Sequence, residues 1–156
     1  MLTNPTVSLD DARVAADAAL AAAEPGDGPI AVCVTNESGD TAYLVRQDGT
    51  SAVDVRNAER KAYTAAFIGR DTSVYRAQLA HDGRTVADWA DERVTTLSGG
   101  WTLRRQSQVI GGIGVAGSGH EDRDERLALA GAEAAAQLAV DAWRKQRPPR
   151  APGPGT

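Results

Sequence analysis

From Asp11 to Ala23 alanine fills most positions, with Leu9, Val14 and Leu20 as larger apolar residues and Ser8 standing three positions before Asp11. A hydroxyl at the N-cap with an acid three residues on satisfies the first free amides reciprocally, so this pattern predicts a first helix. Pro25-Gly26-Asp27-Gly28-Pro29 ends it. The apolar runs Ile30 to Val34 and Ala42 to Val45 flank Glu37-Ser38-Gly39-Asp40 and predict a hairpin, because turn-forming residues separate two β-type stretches. After the turn at Arg46 to Thr50 the spacing becomes helical from Val53 to Ile68. Its small residues Ala58, Ala62, Ala65 and Ala66 allow close packing on a sheet. Between Gly69 and Arg93 the pattern supports two short helices, Val74 to Leu79 and Val86 to Asp91.

Three further strands are expected at Val94 to Leu97, Trp101 to Arg105 and Gln108 to Ala116, divided by Ser98-Gly99-Gly100 and Gln106-Ser107. A long helix follows from Asp122 to Lys145, with Leu127, Leu129, Leu138, Val140 and Trp143 as its larger apolar positions. Residues 147–156 hold four prolines in ten residues and read as a disordered tail. Hairpins grouped between helices predict an α+β domain over residues 1–146, with a central antiparallel sheet of about five strands and helices packed against it.

Length and charge narrow the functional classes. A chain of 156 residues buries about 70% of its unfolded surface in one core. The net charge of −4 disfavours nucleic acid as a partner, since phosphate neutralisation needs a basic face. Cys33 lies within the apolar run Ile30 to Val34 and reads as a small buried hydrophobe of a reducing compartment. No membrane-length apolar run and no charged leader followed by an apolar stretch is present, so a cytoplasmic location is expected. No metal-ligand spacing is found.

The run Val109-Ile110-Gly111-Gly112-Ile113-Gly114-Val115-Ala116-Gly117-Ser118-Gly119, leading into His120-Glu121-Asp122, carries most of the remaining information. Gly112, Gly114 and Gly117 spell a dinucleotide fingerprint, but that site needs a second parallel strand beyond its helix, and only one helix and a proline-rich tail follow. Two readings stay open: glycines that let a helix or second subunit lie flush on a strand, and a small-molecule site where backbone approaches a ligand near a helix start.

Five motifs in order then resemble a known family. Pro29 to Val34 with Gly39, Arg46-Gln47-Asp48-Gly49, Arg60 to Ala66, Ser98-Gly99-Gly100, and Ile110 to Gly117 are similar to the GlcG/HbpS-like family of haem-degrading domains, which includes the C-terminal domain of PduO-type proteins. The resemblance runs from about Leu9 to Trp143. It implies a single α+β domain that assembles into homo-oligomers, with haem as a cofactor in some members. The chain departs from the family pattern in three places: Ala21-Ala22-Ala23-Glu24 stands where haem-binding relatives tend to carry histidine, Asn36 where an acid is common, and Ala116 where serine is common.

Lys61 and His120 are the candidate catalytic residues. Lys61 shares a helical face with Asn57, Thr64 and Ile68; there it could bind a carboxylate, form a Schiff base or act as a base, or simply pair with Asp48, Asp54 or Glu59. His120, beside Glu121 at a helix start, suits general acid or base work. Arg46 and Asp48 form a tight turn, from which Arg46 could reach a carboxylate in bidentate fashion. Together with Thr64, Gly117, Gly119 and Glu121 they make up the candidate ligand-binding set. Trp89 and Trp101 are read as core or interface anchors. The alanine-rich helices leave little bulk for a core of their own, so burial against identical subunits is expected. The resulting functional expectation is a homo-oligomeric protein binding haem or a similar carboxylate-bearing small molecule. A cofactor-independent enzyme performing acid–base isomerisation, cyclisation or dehydration is the alternative, and a non-catalytic accessory protein the third.

Overall fold

Alternation along two central strands sorts side chains by size onto opposite faces of a sheet, and that sorting sets the architecture. In the computed structural model, which describes residues 4–147, the strands are β1 (Ala31–Asn36), β2 (Thr41–Arg46), β3 (Gly100–Arg105) and β4 (Gln108–Ala116). All neighbours are antiparallel, in the order β2-β1-β4-β3. Val32 and Val34 of β1, with Ile113 and Val115 of β4, join Leu103 of β3 on one face, packed with Ala12, Ala15, Ala16 and Ala19 of α1 (Leu9–Ala22) and Leu127 and Ala128 of α4 (Glu121–Gln146). Ala31, Cys33 and Ala116 face the other way, onto Ala58 and Ala62 of α2 (Ala52–Thr64). The result is three layers, with α1 and α4 on one side and α2 on the other.

Glycine thins the second face. A Cβ built on Gly114 would lie 2.1 Å from the Ala58 carbonyl oxygen, and one on Gly112 would lie 2.3 Å from that of Ala62; both are distances no side chain occupies. Backbone therefore meets backbone where α2 crosses β4, which is the flush-packing reading of the glycine run.

Past Thr64 the α2 helix widens into a π-helical turn, Ala65–Gly69, and then gives way to α3 (Thr72–Asp82) and a short 3-10 turn, Val86–Trp89. Tyr63, Tyr75, Leu79 and Val94 form a satellite cluster there.

The sheet has four strands where about five were expected. Val94 to Leu97 form no strand because side chains and a tight turn take their amides: Thr95 N–H donates to Thr64 Oγ1 at 2.9 Å, Leu97 N–H to Thr95 Oγ1 at 3.2 Å, and Val94 N–H to the Asp91 carbonyl at 3.1 Å. The open edge of β3 is also capped, since Asp71 Oδ1 accepts from the Thr102 amide at 2.8 Å. The first helix starts as expected, with the reciprocal Ser8–Asp11 capping box in place. The proline-rich tail lies outside the described residues from position 148 onward.

Candidate functional site

Three residues of α2, Asp54, Asn57 and Lys61, fall on one helical face by their three- and four-residue spacing. That face lines a cleft of about 280 Å³ whose other walls are Leu97, Ala116, Gly117, Gly119, His120, Glu121 and Asp124. The cleft thus lies where β4 ends and α4 begins.

At its floor Lys61 crosses from α2 to α4. Its Nζ donates to the Val115 carbonyl at 2.8 Å and to Asp124 Oδ2 at 2.9 Å, and the two side chains are only 3% and 8% exposed. Burying an ion pair costs desolvation on both partners, which is recovered only when the remaining polar sites are satisfied. They are: Asp124 Oδ1 accepts the backbone N–H of Ser118 at 3.1 Å and its hydroxyl at 2.6 Å. The glycines make this reach feasible, because a Cβ on Gly99 would stand 3.0 Å from Lys61 Nζ and one on Gly100 would stand 2.4 Å from the Lys61 carbonyl.

The rim is held as firmly. Glu121 Oε2 accepts from Arg76 Nη1 at 2.8 Å and from the Ser98 amide at 3.2 Å, while Arg76 Nη2 donates to Ser98 Oγ at 2.9 Å. Partial burial works to raise the Glu121 carboxyl, but the Arg76 and Ser98 hydrogen bonds, with the Arg76 and Lys61 charges, outweigh it and hold the group below its usual range. His120 is the N-cap of α4, and its side chain makes no capping bond. The imidazole stays exposed at the cleft mouth.

Of the residues singled out from the sequence, the structure brings Lys61, His120, Gly117, Gly119 and Glu121 together. It does not bring in the other three. Thr64 is fully buried beyond the cleft, donating to the Arg60 carbonyl at 2.8 Å and accepting the Thr95 amide, so it pins the 93–95 segment to α2. Arg46 donates to the Thr50 carbonyl at 2.6 Å and closes its own turn, with Asp48 exposed beside it. The partner of Lys61 is Asp124, not Asp48, Asp54 or Glu59, and an amine held in that pair is poorly placed for Schiff-base chemistry. Cys33 is inert: burial pushes its thiol up to about 12. Trp101 packs on the core, whereas Trp89 is partly exposed.

Sequence reasoning missed Asp124, Ser118, Arg76, Ser98 and Leu97. The one local signal for Asp124 was a third acid in the opening turn of α4, indistinguishable there from ordinary helix-dipole compensation. Among the described residues no three histidine, cysteine or acidic side chains cluster as a metal site, and no helix is long and apolar enough to cross a membrane.

Comparison with known proteins places this architecture. HbpS of Streptomyces reticuli, solved as a double mutant, shares 32% identity over 85% of this chain and 89% of its own, with a TM-score of 0.77. A PduOC–haem complex shares 24% identity over 83% of this chain and 94% of its own, TM-score 0.73. The Klebsiella pneumoniae protein ORFY shares 22% identity over 86% and 94%, TM-score 0.77; at these lower identities the likeness is one of fold. No curated protein sequence matches significantly. The family model described as "Haem degrading protein HbpS-like" matches residues 7–133. The chain therefore belongs to the HbpS-like family of haem-degrading proteins.

Proposed function

We propose that this protein binds a haem-related small molecule at the cleft between α2 and the start of α4. The observation that carries the reading is the Lys61–Asp124–Ser118 network on the cleft floor. A buried ion pair contributes little net stability compared with apolar packing of the same volume, so its position under an open polar cleft is better explained by a ligand than by the fold. The haem named in the PduOC complex and the description of the family supply the ligand class.

The residues present suit one part of such a ligand. His120 is an exposed imidazole with no capping role, so it is the residue that would hold a haem iron here. Lys61 has a hydrogen-bond donor to offer a ligand oxygen. The histidine that haem-binding relatives tend to carry after the first helix is replaced by Ala21, Ala22 and Ala23, which leaves His120 as the imidazole of this cleft. A volume of about 280 Å³ falls below the roughly 300–1,000 Å³ of pockets that enclose drug-sized molecules, so one chain holds an edge of a tetrapyrrole and leaves the rest for a neighbouring surface. Bound iron would supply redox chemistry; the chain's own residues bind and orient.

Titration of the purified protein with ferric haem tests this reading. A saturable Soret shift that is lost in His120→Ala and kept in His81→Ala is the expected result, and a spectrum equal to that of free haem at every ratio would refute it. A second reading, acid–base chemistry on a non-haem substrate, is favoured by His120 standing beside the Asp54 and Glu121 carboxylates in the same cleft. It predicts turnover that His120→Ala abolishes in a protein indifferent to haem.

A further inference from the structure

We infer that Ser118 is a positioning residue: it lines no wall of the cleft, and its bonds to Asp124 fix the short junction on which His120 stands. The inference rests on His120 holding the ligand in this cleft and names what keeps that imidazole in place. Between the last residue of β4, Ala116, and the first of α4, Glu121, the chain runs Gly117-Ser118-Gly119-His120. Both glycines have positive φ, 111° and 106°, a region glycine enters at little steric cost and leaves as easily. A junction built this way wanders unless something pins it.

Ser118 is 1% exposed, and each of its polar groups is engaged. Its N–H donates to Asp124 Oδ1 at 3.1 Å, and its hydroxyl proton is shared between Asp124 Oδ1 at 2.6 Å and the His120 carbonyl at 3.0 Å. Its own carbonyl accepts the Gly28 N–H at 3.1 Å. Asp124 also holds the far end of the junction, because its backbone N–H donates to the His120 carbonyl at 3.0 Å. Gly119 and His120 are thus closed into a loop whose two ends meet on one residue. Hydrogen bonds to a carboxylate are the stronger class, and Lys61 orients this one through its 2.9 Å bond to Oδ2. Order therefore passes from α2 through the buried pair and Ser118 to the backbone that presents the imidazole. A side chain on a backbone already held in place binds without the ordering entropy that a mobile loop would lose.

The test combines amide NMR relaxation of the ligand-free protein with a ferric-haem titration, on the parent and on Ser118→Ala, which removes the hydroxyl and keeps the backbone bond to Asp124. In the parent the Gly119 and His120 amides are expected to be as rigid as those of Ile113 and Val115 in β4. In Ser118→Ala they are expected to loosen with β4 unchanged. Haem affinity should fall about fivefold or more, equivalent to one lost hydrogen bond, and the Soret maximum at saturation should move toward that of free haem. Mobile Gly119 and His120 amides in the parent would overturn the inference without any variant. A Ser118→Ala protein that keeps the parent's Soret maximum at saturation would overturn it too, whether its affinity is unchanged or lowered, because a merely structural loss leaves the ligand's surroundings as they were; the haem-related reading would then stand. No Soret shift in the parent at any ratio would end both.

Discussion

The two faces of the β1–β4 sheet are built on opposite terms. Toward α1 and α4 the strands present Val32, Val34, Ile113 and Val115, large side chains that interdigitate with helix alanines in an ordinary apolar core. Toward α2 they present Ala31, Cys33, Gly112, Gly114 and Ala116, so helix and strand backbones approach too closely for side chains to intervene. The first face supplies stability through buried area. The second gives up that area for proximity, and proximity is what lets a side chain on α2 reach past the end of the sheet to an acid on α4. The cleft exists because one face is thin.

Breaking the reach should cost most. Lys61→Met leaves Asp124 buried without its counter-ion and is expected to destabilise the fold by about 3–5 kcal/mol, read as a fall in the urea midpoint. The double variant Lys61→Met with Asp124→Leu should recover a large part of that loss, since no uncompensated charge remains. Closing the thin face comes next: Gly114→Ala forces a methyl against the Ala58 carbonyl and is expected to cost about 1–3 kcal/mol. On the thick face Ile113→Val removes one methylene and should cost about 0.5–1.5 kcal/mol, with the cleft unaltered. If Ile113→Val cost more than Gly114→Ala, the contrast between the faces would be wrong.

The smallest effect lies away from both faces. Asp91 accepts from Arg93 and from the Tyr63 hydroxyl, and these bonds hold its carboxyl down to about 2. A depressed native value means stabilisation that is complete above the unfolded carboxylate range, near pH ~4, and is lost as pH falls through that range toward about 2. Asp91→Asn should therefore lower the neutral plateau of the stability curve and flatten its acid limb, so that variant and parent converge as pH falls toward about 2, as thermal melts across that range would show.

Much of this design was legible in the chain. The Ser8–Asp11 cap marked the first helix, the apolar run from Gln108 to Ala116 behind the Gln106-Ser107 turn gave β4 to the residue, and the glycines announced a close approach. What stayed hidden depends on pairs distant in sequence. Lys61 and Asp124 are 63 residues apart, so the three nearer acids looked equally good as partners. Thr64 shares the helical face of Lys61, yet one turn further on that face runs under the 93–95 segment, where a hydroxyl serves as backbone glue instead of lining a site. Val94 to Leu97 have strand composition but no neighbouring strand to pair with, and composition cannot report whether a sheet edge is open.

The most direct measurement is a map of which backbone amides shift when a tetrapyrrole is added, read by NMR with gallium(III) protoporphyrin as a diamagnetic stand-in for haem. Saturable shifts confined to Asn57, Lys61, Leu97, Gly117, Gly119, His120 and Glu121 are predicted. Shifts centred instead on the surface between the β3–β4 turn and the Ala136, Val140 and Trp143 face of α4, with the amides around Lys61 unmoved, would contradict the account.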